Sequence, residues 1–300
     1  MRCERIALPT EPYPQAVVFV NNANSITLNT FFGKRFLRRF SKKFRYFFYL
    51  FRKSFTFIKI NAKIYAYQSA SESYYMGILT EYEFNGFTAT VITPEKPNGK
   101  WIWKTEFFYA FDNAERALLE DGYTRVYYKI SNKYGSYGAV RLMHDFHIDL
   151  LSRFPLCKKA CLFGFSRGGL YAFNYALFYP EYVDKIYLDA PVLDLRSWPK
   201  EDSPEQAQML EEYCLTKETL KRFKGSPIFN LAEFFSHKIP LLLIAGGKDE
   251  VVSFDDNSAK LIDFALTGGE NFKYLIKPDC GHHPHSLDDV TPILDFIKND

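Results

Sequence analysis

The sequence predicts an α/β fold: a doubly wound, mostly parallel sheet of eight strands with helices on its faces and a helical cap inserted late in the chain. Three observations carry this expectation. From residue 75 onward, short apolar runs alternate with stretches of helical period. The first two runs meet at Asn85-Gly86, a strong hairpin signal. The fifth run enters a glycine-rich turn and then a helix without an intervening loop. The fold is expected to occupy residues 72–300, leaving residues 1–71 as a separate segment.

Taken in order, residues 75–84 and 86–94 are expected as the two strands of the hairpin and 101–108 as a third. A helix over 113–121 is closed by Gly122, which can take the left-handed conformation that ends helices. Residues 124–130 form the fourth strand. The run 139–154 is helical, with Ala139, Met143, Phe146 and Leu150 on one face. Strand five covers 159–165, and the helix that follows, 167–178, is stopped by Pro180. Apolar runs at 185–189, 240–245 and 271–276 complete the sheet, separated by helices at 254–266 and 287–298. Between about 191 and 238 lies a connection far longer than usual, carrying Trp198, Tyr213 and Phe223. It is expected to form the cap that shapes the substrate pocket.

The net charge of +3 conceals a division. Residues 1–63 hold thirteen Lys and Arg against Glu4 and Glu11, a formal +11, which leaves −8 for the rest. Within the basic part, Phe32, Phe36, Phe40, Phe44, Phe47, Phe48, Phe51 and Phe55 recur at helical spacing. Lys34, Arg35, Arg38, Arg39, Lys42 and Arg45 fall on the opposite arc. A helix over about 32–55 with these faces would lie on an anionic membrane surface; packing of its Phe face on the domain is the alternative. No nucleic-acid module accompanies it, so nucleic acid is not an expected partner. No signal peptide is evident, and the uncharged stretch 12–33 is too rich in Asn, Thr, Ser, Gln and Pro to span a bilayer. The five cysteines are odd in number and fit no zinc pattern, with Cys157 and Cys161 expected as small buried hydrophobes on a strand. A cytoplasmic protein, peripheral on the membrane where the basic segment engages it, is the expectation.

Chemistry concentrates in the acidic part. Gly164-Phe165-Ser166-Arg167-Gly168-Gly169 is a G-x-S-x-G turn between an apolar strand and a helix, a context that places the serine hydroxyl exposed at the carboxyl edge of the sheet. A serine needs a base and an orienting acid. Asp249 follows the strand at 240–245, and His282, directly after Gly281, follows the last strand. Glu250, Asp189 and Asp194 are rivals for the acid, and His283 and His285 for the base. The His-His-Pro-His run could hold a metal. The two adjacent side chains diverge and no carboxylate or cysteine pattern supports it, so no metal is expected. His144 and His147 are expected to be satisfied helix residues.

The elbow, the Gly246-Gly247-Lys248-Asp249-Glu250-Val251-Val252 loop and the Gly281-His282 loop together resemble the α/β-hydrolase superfamily over residues of about 72–300. The resemblance implies Ser166 as nucleophile, His282 as general base and then acid, and Asp249 as the carboxylate that fixes the imidazole. It also implies an oxyanion hole from the Arg167 amide and a second donor after the third strand, where the usual glycine run is missing and Trp103 or Lys104 is expected. Tyr134 and Trp198 are candidates to line the pocket. The implied activity is cleavage of a small-molecule or carbohydrate ester by an acyl-serine route without a cofactor. A peptidase like the prolyl oligopeptidases or an acyltransferase could use the same core, and a membrane-associated interaction protein could keep the fold without turnover.

Overall fold

The computed structural model describes residues 63–64 and 77–299. The described residues belong to one compact unit, Ala62–Asp300. The amphipathic helix expected at about 32–55 lies outside them.

The described residues form one nine-stranded sheet: β1 (Lys63–Ile64), β2 (Gly77–Phe84), β3 (Phe87–Pro94), β4 (Trp101–Lys104), β5 (Thr124–Tyr128), β6 (Ala160–Phe165), β7 (Val183–Asp189), β8 (Leu241–Gly246) and β9 (Phe272–Lys277), in the order β1-β2-β3-β5-β4-β6-β7-β8-β9. The eight expected strands are present. The ninth, β1, is a two-residue edge strand antiparallel to β2, too short to leave a periodic signal. The hairpin turns at Asn85 and Gly86, both with positive φ (49° and 82°), as a turn matched to the twist of its strands requires. β1, β2, β3 and β5 pair antiparallel, and from β5 to β9 every pair is parallel.

The helices are α1 (Asn113–Glu120), α2 (Tyr137–Arg153), α3 (Gly168–Phe178), α4 (Pro204–Glu212), α5 (Lys217–Leu220), α6 (Leu231–Ser236), α7 (Ser258–Leu266) and α8 (Thr291–Lys298). α2 starts two residues before its expected onset because Ser136 caps it, its hydroxyl accepting from the Ala139 N–H. α7 and α8 begin about four residues late, after the irregular segments 250–257 and 286–290. The third strand, expected to reach 108, stops at Lys104; Phe107 and Phe111 have positive φ and break the extended run.

Two apolar layers sandwich the sheet. In the central strands alternate residues face opposite ways: Trp101, Trp103, Leu162, Ile186, Leu188, Leu241 and Leu243 join a cluster with α2, α3 and α7. Ile102, Phe163, Phe165, Tyr187, Leu242 and Ile244 join a second cluster with α1 and α8. β6 and β8 are buried at every position, which is why they read as unbroken apolar runs. His147 of α2 is buried and satisfied: its Nε2–H donates to the Lys158 carbonyl (2.8 Å), so Nδ1 accepts from the Tyr175 hydroxyl (2.7 Å). Burial lowers its pKa to about 4.

Residues 191–238 fold as α4, α5, a short 3-10 turn at Pro227–Phe229 and α6. Met209, Leu220, Leu231 and Phe234 pack into the larger apolar cluster. Cys161 is buried on β6, but Cys157 lies before the strand and is exposed, contrary to expectation; both are free thiols.

Candidate active site

The strand order reverses direction at β4: the chain leaves it for β5 on one side, crosses back to β6 on the other, and proceeds outward to β9. Such a switch point opens a crevice at the carboxyl ends of the strands. The β6–α3 turn lies there. Ser166 has φ 50°, a costly conformation for a serine, held by hydrogen bonds on both sides. Its N–H donates to the Asp189 carbonyl (2.9 Å), and its own carbonyl accepts from Gly169 and Val192 (2.9 Å each). The flanking glycines permit the turn by close approach. A Cβ on Gly164 would sit 2.9 Å from both Ala172 of α3 and Leu188 of β7, and one on Gly168 would sit 2.9 Å from Thr105 Oγ1.

Ser166, His282 and Asp249 come together although 116 and 33 residues separate the partners. His282 Nδ1 lies 2.7 Å from Asp249 Oδ2 and Nε2 lies 3.0 Å from Ser166 Oγ. A carboxylate only accepts, so the proton resides on Nδ1 and the Nε2 lone pair faces the serine hydroxyl. The other oxygen of Asp249 accepts from the N–H groups of Val251 (3.0 Å) and Val252 (2.9 Å), which orients the carboxylate. All three side chains are buried. The loops bearing Asp249 and His282 are joined directly: the Lys248 N–H donates to the Cys280 carbonyl (2.9 Å). A Cβ on Gly246 would stand 2.0 Å from the Gly281 oxygen.

The rival acids are engaged elsewhere. Glu250 is exposed. Asp194 grips Arg196 through both oxygens (2.6–3.1 Å). Asp189 meets His285, with Oδ1 at 2.7 Å from Nδ1, while Oδ2 accepts from the Ser286 N–H (2.8 Å) and the Tyr187 hydroxyl (2.6 Å). The site thus has a second buried Asp–His pair, and the ring centroids of His285 and His282 are 4.8 Å apart. In the sequence Asp189 and His285 stand only as rivals for the acid and the base. Each bears a sign, one at a strand's carboxyl end and one three residues past His282, but nothing local indicates that they pair with each other.

The expected second oxyanion donors require correction. Trp103 and Lys104 lie inside β4, their backbone in register with Leu162 and Phe163 of β6. Lys104 is buried, its ammonium on the Ala110 carbonyl (2.6 Å) and Glu115 (2.5 Å), where it braces the loop 105–112 from within. Burial pushes its pKa down. The Thr105 N–H is bonded to the Phe163 carbonyl (3.0 Å), so Glu106 is the first residue past the ladder, and its backbone nitrogen lies 3.5 Å from the Cβ position of Gly168. Buried Glu106, its pKa raised by that burial, pairs with the Arg167 guanidinium (3.2 Å) and ties this loop to the elbow. Arg167 also lies over the Phe107 ring at 5.4 Å.

Tyr134 is buried in the left-handed region (φ 48°); its hydroxyl donates to Gln208 of α4 (2.9 Å) and its carbonyl accepts from the Tyr213 hydroxyl (2.9 Å). Its ring is 6.3 Å from that of Trp198. The two pocket candidates therefore touch, at the contact between the loop after β5 and segment 191–238.

A sequence model of the prolyl oligopeptidase family matches residues 152–300, the stretch from the end of α2 through α8. No curated protein matches the chain. Solved structures similar to it include dipeptidyl peptidase 4 of Porphyromonas gingivalis, at 13% identity and TM-score 0.52, over 69% of this chain and 32% of that one. The puromycin-hydrolyzing peptidase of Mycobacterium tuberculosis matches at 14% identity and TM-score 0.55, over 73% of this chain and 37% of that one. The S-formylglutathione hydrolase of Agrobacterium tumefaciens matches at 15% identity and TM-score 0.52, over 77% of this chain and 95% of that one. The chain spans about a third of the length of the two peptidases. At these identities the likeness is one of fold.

Proposed function

We propose that the chain is a serine hydrolase of the α/β-hydrolase superfamily and that it cleaves a carboxylic ester through an acyl-serine intermediate. The observation that carries the proposal is the unbroken hydrogen-bonded line from Ser166 through His282 to Asp249. Ser166 Oγ attacks the ester carbonyl carbon as His282 Nε2 takes its proton. The imidazolium that forms keeps its Nδ1–H on Asp249, which stabilises the charge and prevents the ring from turning. The developing oxyanion is met by the Arg167 N–H and, beyond the ladder, by that of Glu106, fixed donors whose effect is largest where water is excluded. His282 then protonates the leaving alkoxide, and water repeats the sequence on the acyl-enzyme.

Segment 191–238, with Trp198 against Tyr134, serves in this reading as the cap over the leaving group, and small-molecule or carbohydrate esters are the substrate class. The span of 95% of the S-formylglutathione hydrolase favours an esterase. The family match over residues 152–300 favours a second reading, hydrolysis of peptides by the same residues. Steady-state rates on p-nitrophenyl esters of two to eight carbons and acetylated sugars, set against proline-containing peptide amides, separate the two. Esterase action predicts kcat/KM on the best ester at least about a hundredfold above that on any amide. A higher value on amides transfers the assignment to the peptidase.

A further inference from the structure

Beside the nucleophile stand three histidines whose number and arrangement exceed what acyl transfer uses. We propose that His282, His283 and His285 form a binding site for Zn²⁺ or a similar transition-metal ion, and that the bound ion switches hydrolysis off. Binding follows from the residues alone; the inhibitory consequence rests on the reading of His282 as general base.

One ring nitrogen from each histidine lies within 4.8 Å of the others. The ring centroids are 4.9, 4.8 and 4.9 Å apart, so no pair is remote from the third. Two of the rings are already prepared in the manner of metal ligands. His282 and His285 each direct Nδ1 at a buried carboxylate, Asp249 and Asp189, at 2.7 Å. A carboxylate behind a histidine fixes the tautomer with its proton on Nδ1, leaves the Nε2 lone pair as donor to a metal and raises its basicity. The third ring, His283, is exposed and can turn. Zinc bonds imidazole nitrogen at about 2.0–2.1 Å, so tetrahedral ligands stand roughly 3.3 Å apart, and the cluster must close by about 1.5 Å. Exposed His283 has room to move toward the two carboxylate-held rings. Its present neighbour is Phe111, stacked at 5.6 Å.

The functional result follows from one lone pair. His282 Nε2 is the acceptor 3.0 Å from Ser166 Oγ, and it cannot ligate a cation and accept the serine proton at once. No bond is made or broken in a substrate; the ion competes with the proton. Three protein ligands with an open fourth position suit zinc, and reversal requires only that a chelator remove it.

The test uses the full, untagged chain. Zinc chloride titrated calorimetrically into the Ser166→Ala protein reads binding without turnover, and ester hydrolysis by the parent is followed against zinc and then EDTA. The expected result is one ion per chain, suppression of turnover that EDTA reverses, and weakening of binding by about tenfold or more in both His283→Ala and His285→Ala. In His283→Ala, the zinc needed to halve its own metal-free rate should rise by the same factor. His283 is exposed and its substitution tests the site even where loss of buried His285 impairs folding. Absence of saturable binding, or parental affinity in His283→Ala, overturns the site; binding without loss of turnover overturns the switch. A chain that binds zinc through these residues but hydrolyses no ester leaves the site standing and removes the esterase reading.

Discussion

Asp189 is the last residue of β7 and Asp249 lies three residues past the end of β8, and each is bonded to a histidine at 2.7 Å. Their different partners give them different consequences. Asp249 acts on the imidazole that faces Ser166, whereas Asp189 holds His285, the Ser286 N–H and the Tyr187 hydroxyl together behind it. Asp189→Asn puts an amide NH₂ where a donor must be received, leaving at least one buried donor unmatched at a cost of about 1–3 kcal/mol. The loop bearing His282 should lose its register against Ser166. The expected outcome is a kcat lowered about tenfold or more on a good ester with KM little changed, measured by steady-state kinetics beside a thermal melt. Unchanged kcat would show that the second pair does not support the first. Of these residues, Ser166, Asp249 and His282 were legible because each follows a strand and carries a glycine signature. The Asp189–His285 pairing spans 96 residues and was not. The proposed second oxyanion donor, Glu106, lies two to three positions past the expected Lys104 and Trp103 because β4 ends at Lys104, with no glycine run after it to mark the place.

At the scale of elements, the site depends on two loops touching. The β8 and β9 ends are parallel and in register up to Gly246 opposite Lys277, and there the chain passes so close that only glycine fits. Gly246→Ala places a methyl group 2.0 Å from the Gly281 oxygen, with backbone on every near side. The loops carrying Asp249 and His282 must then separate. Because catalysis requires sub-ångström placement, activity should fall by about a hundredfold or more, and stability by several kcal/mol as in other overpacked sites. Chemical denaturation together with ester turnover checks both. Parental activity in this variant would mean that the loops tolerate a shift the geometry does not allow. The buried central strands were readable as apolar runs and the helices as 3.6-residue periods. β1 was not, being two residues long, and the onsets of α7 and α8 were obscured by turns that carry no periodicity. The long insertion was legible as length alone: its helices pack apolar residues into the main core, a relation that no local pattern encodes.

For the whole molecule, the parallel half of the sheet sets the location of the chemistry. Its strands reverse order at β4, both faces are covered, and the crevice at their carboxyl ends receives the elbow, the acid loop and the histidine loop from β6, β8 and β9. The charge division follows the same line, since every residue of the candidate site lies in the acidic part of the chain. Among the described residues no helix is long and apolar enough to cross a membrane. The central claim is that this arrangement makes Ser166 a nucleophile that forms an acyl-enzyme. Its most direct test is reaction of the full chain with a fluorophosphonate, located by peptide mass spectrometry. The account predicts one adduct, on Ser166, absent from Ser166→Ala and formed in His282→Ala at a rate lower by on the order of a thousandfold. An unlabelled parent chain, or an adduct that persists in Ser166→Ala, would contradict it.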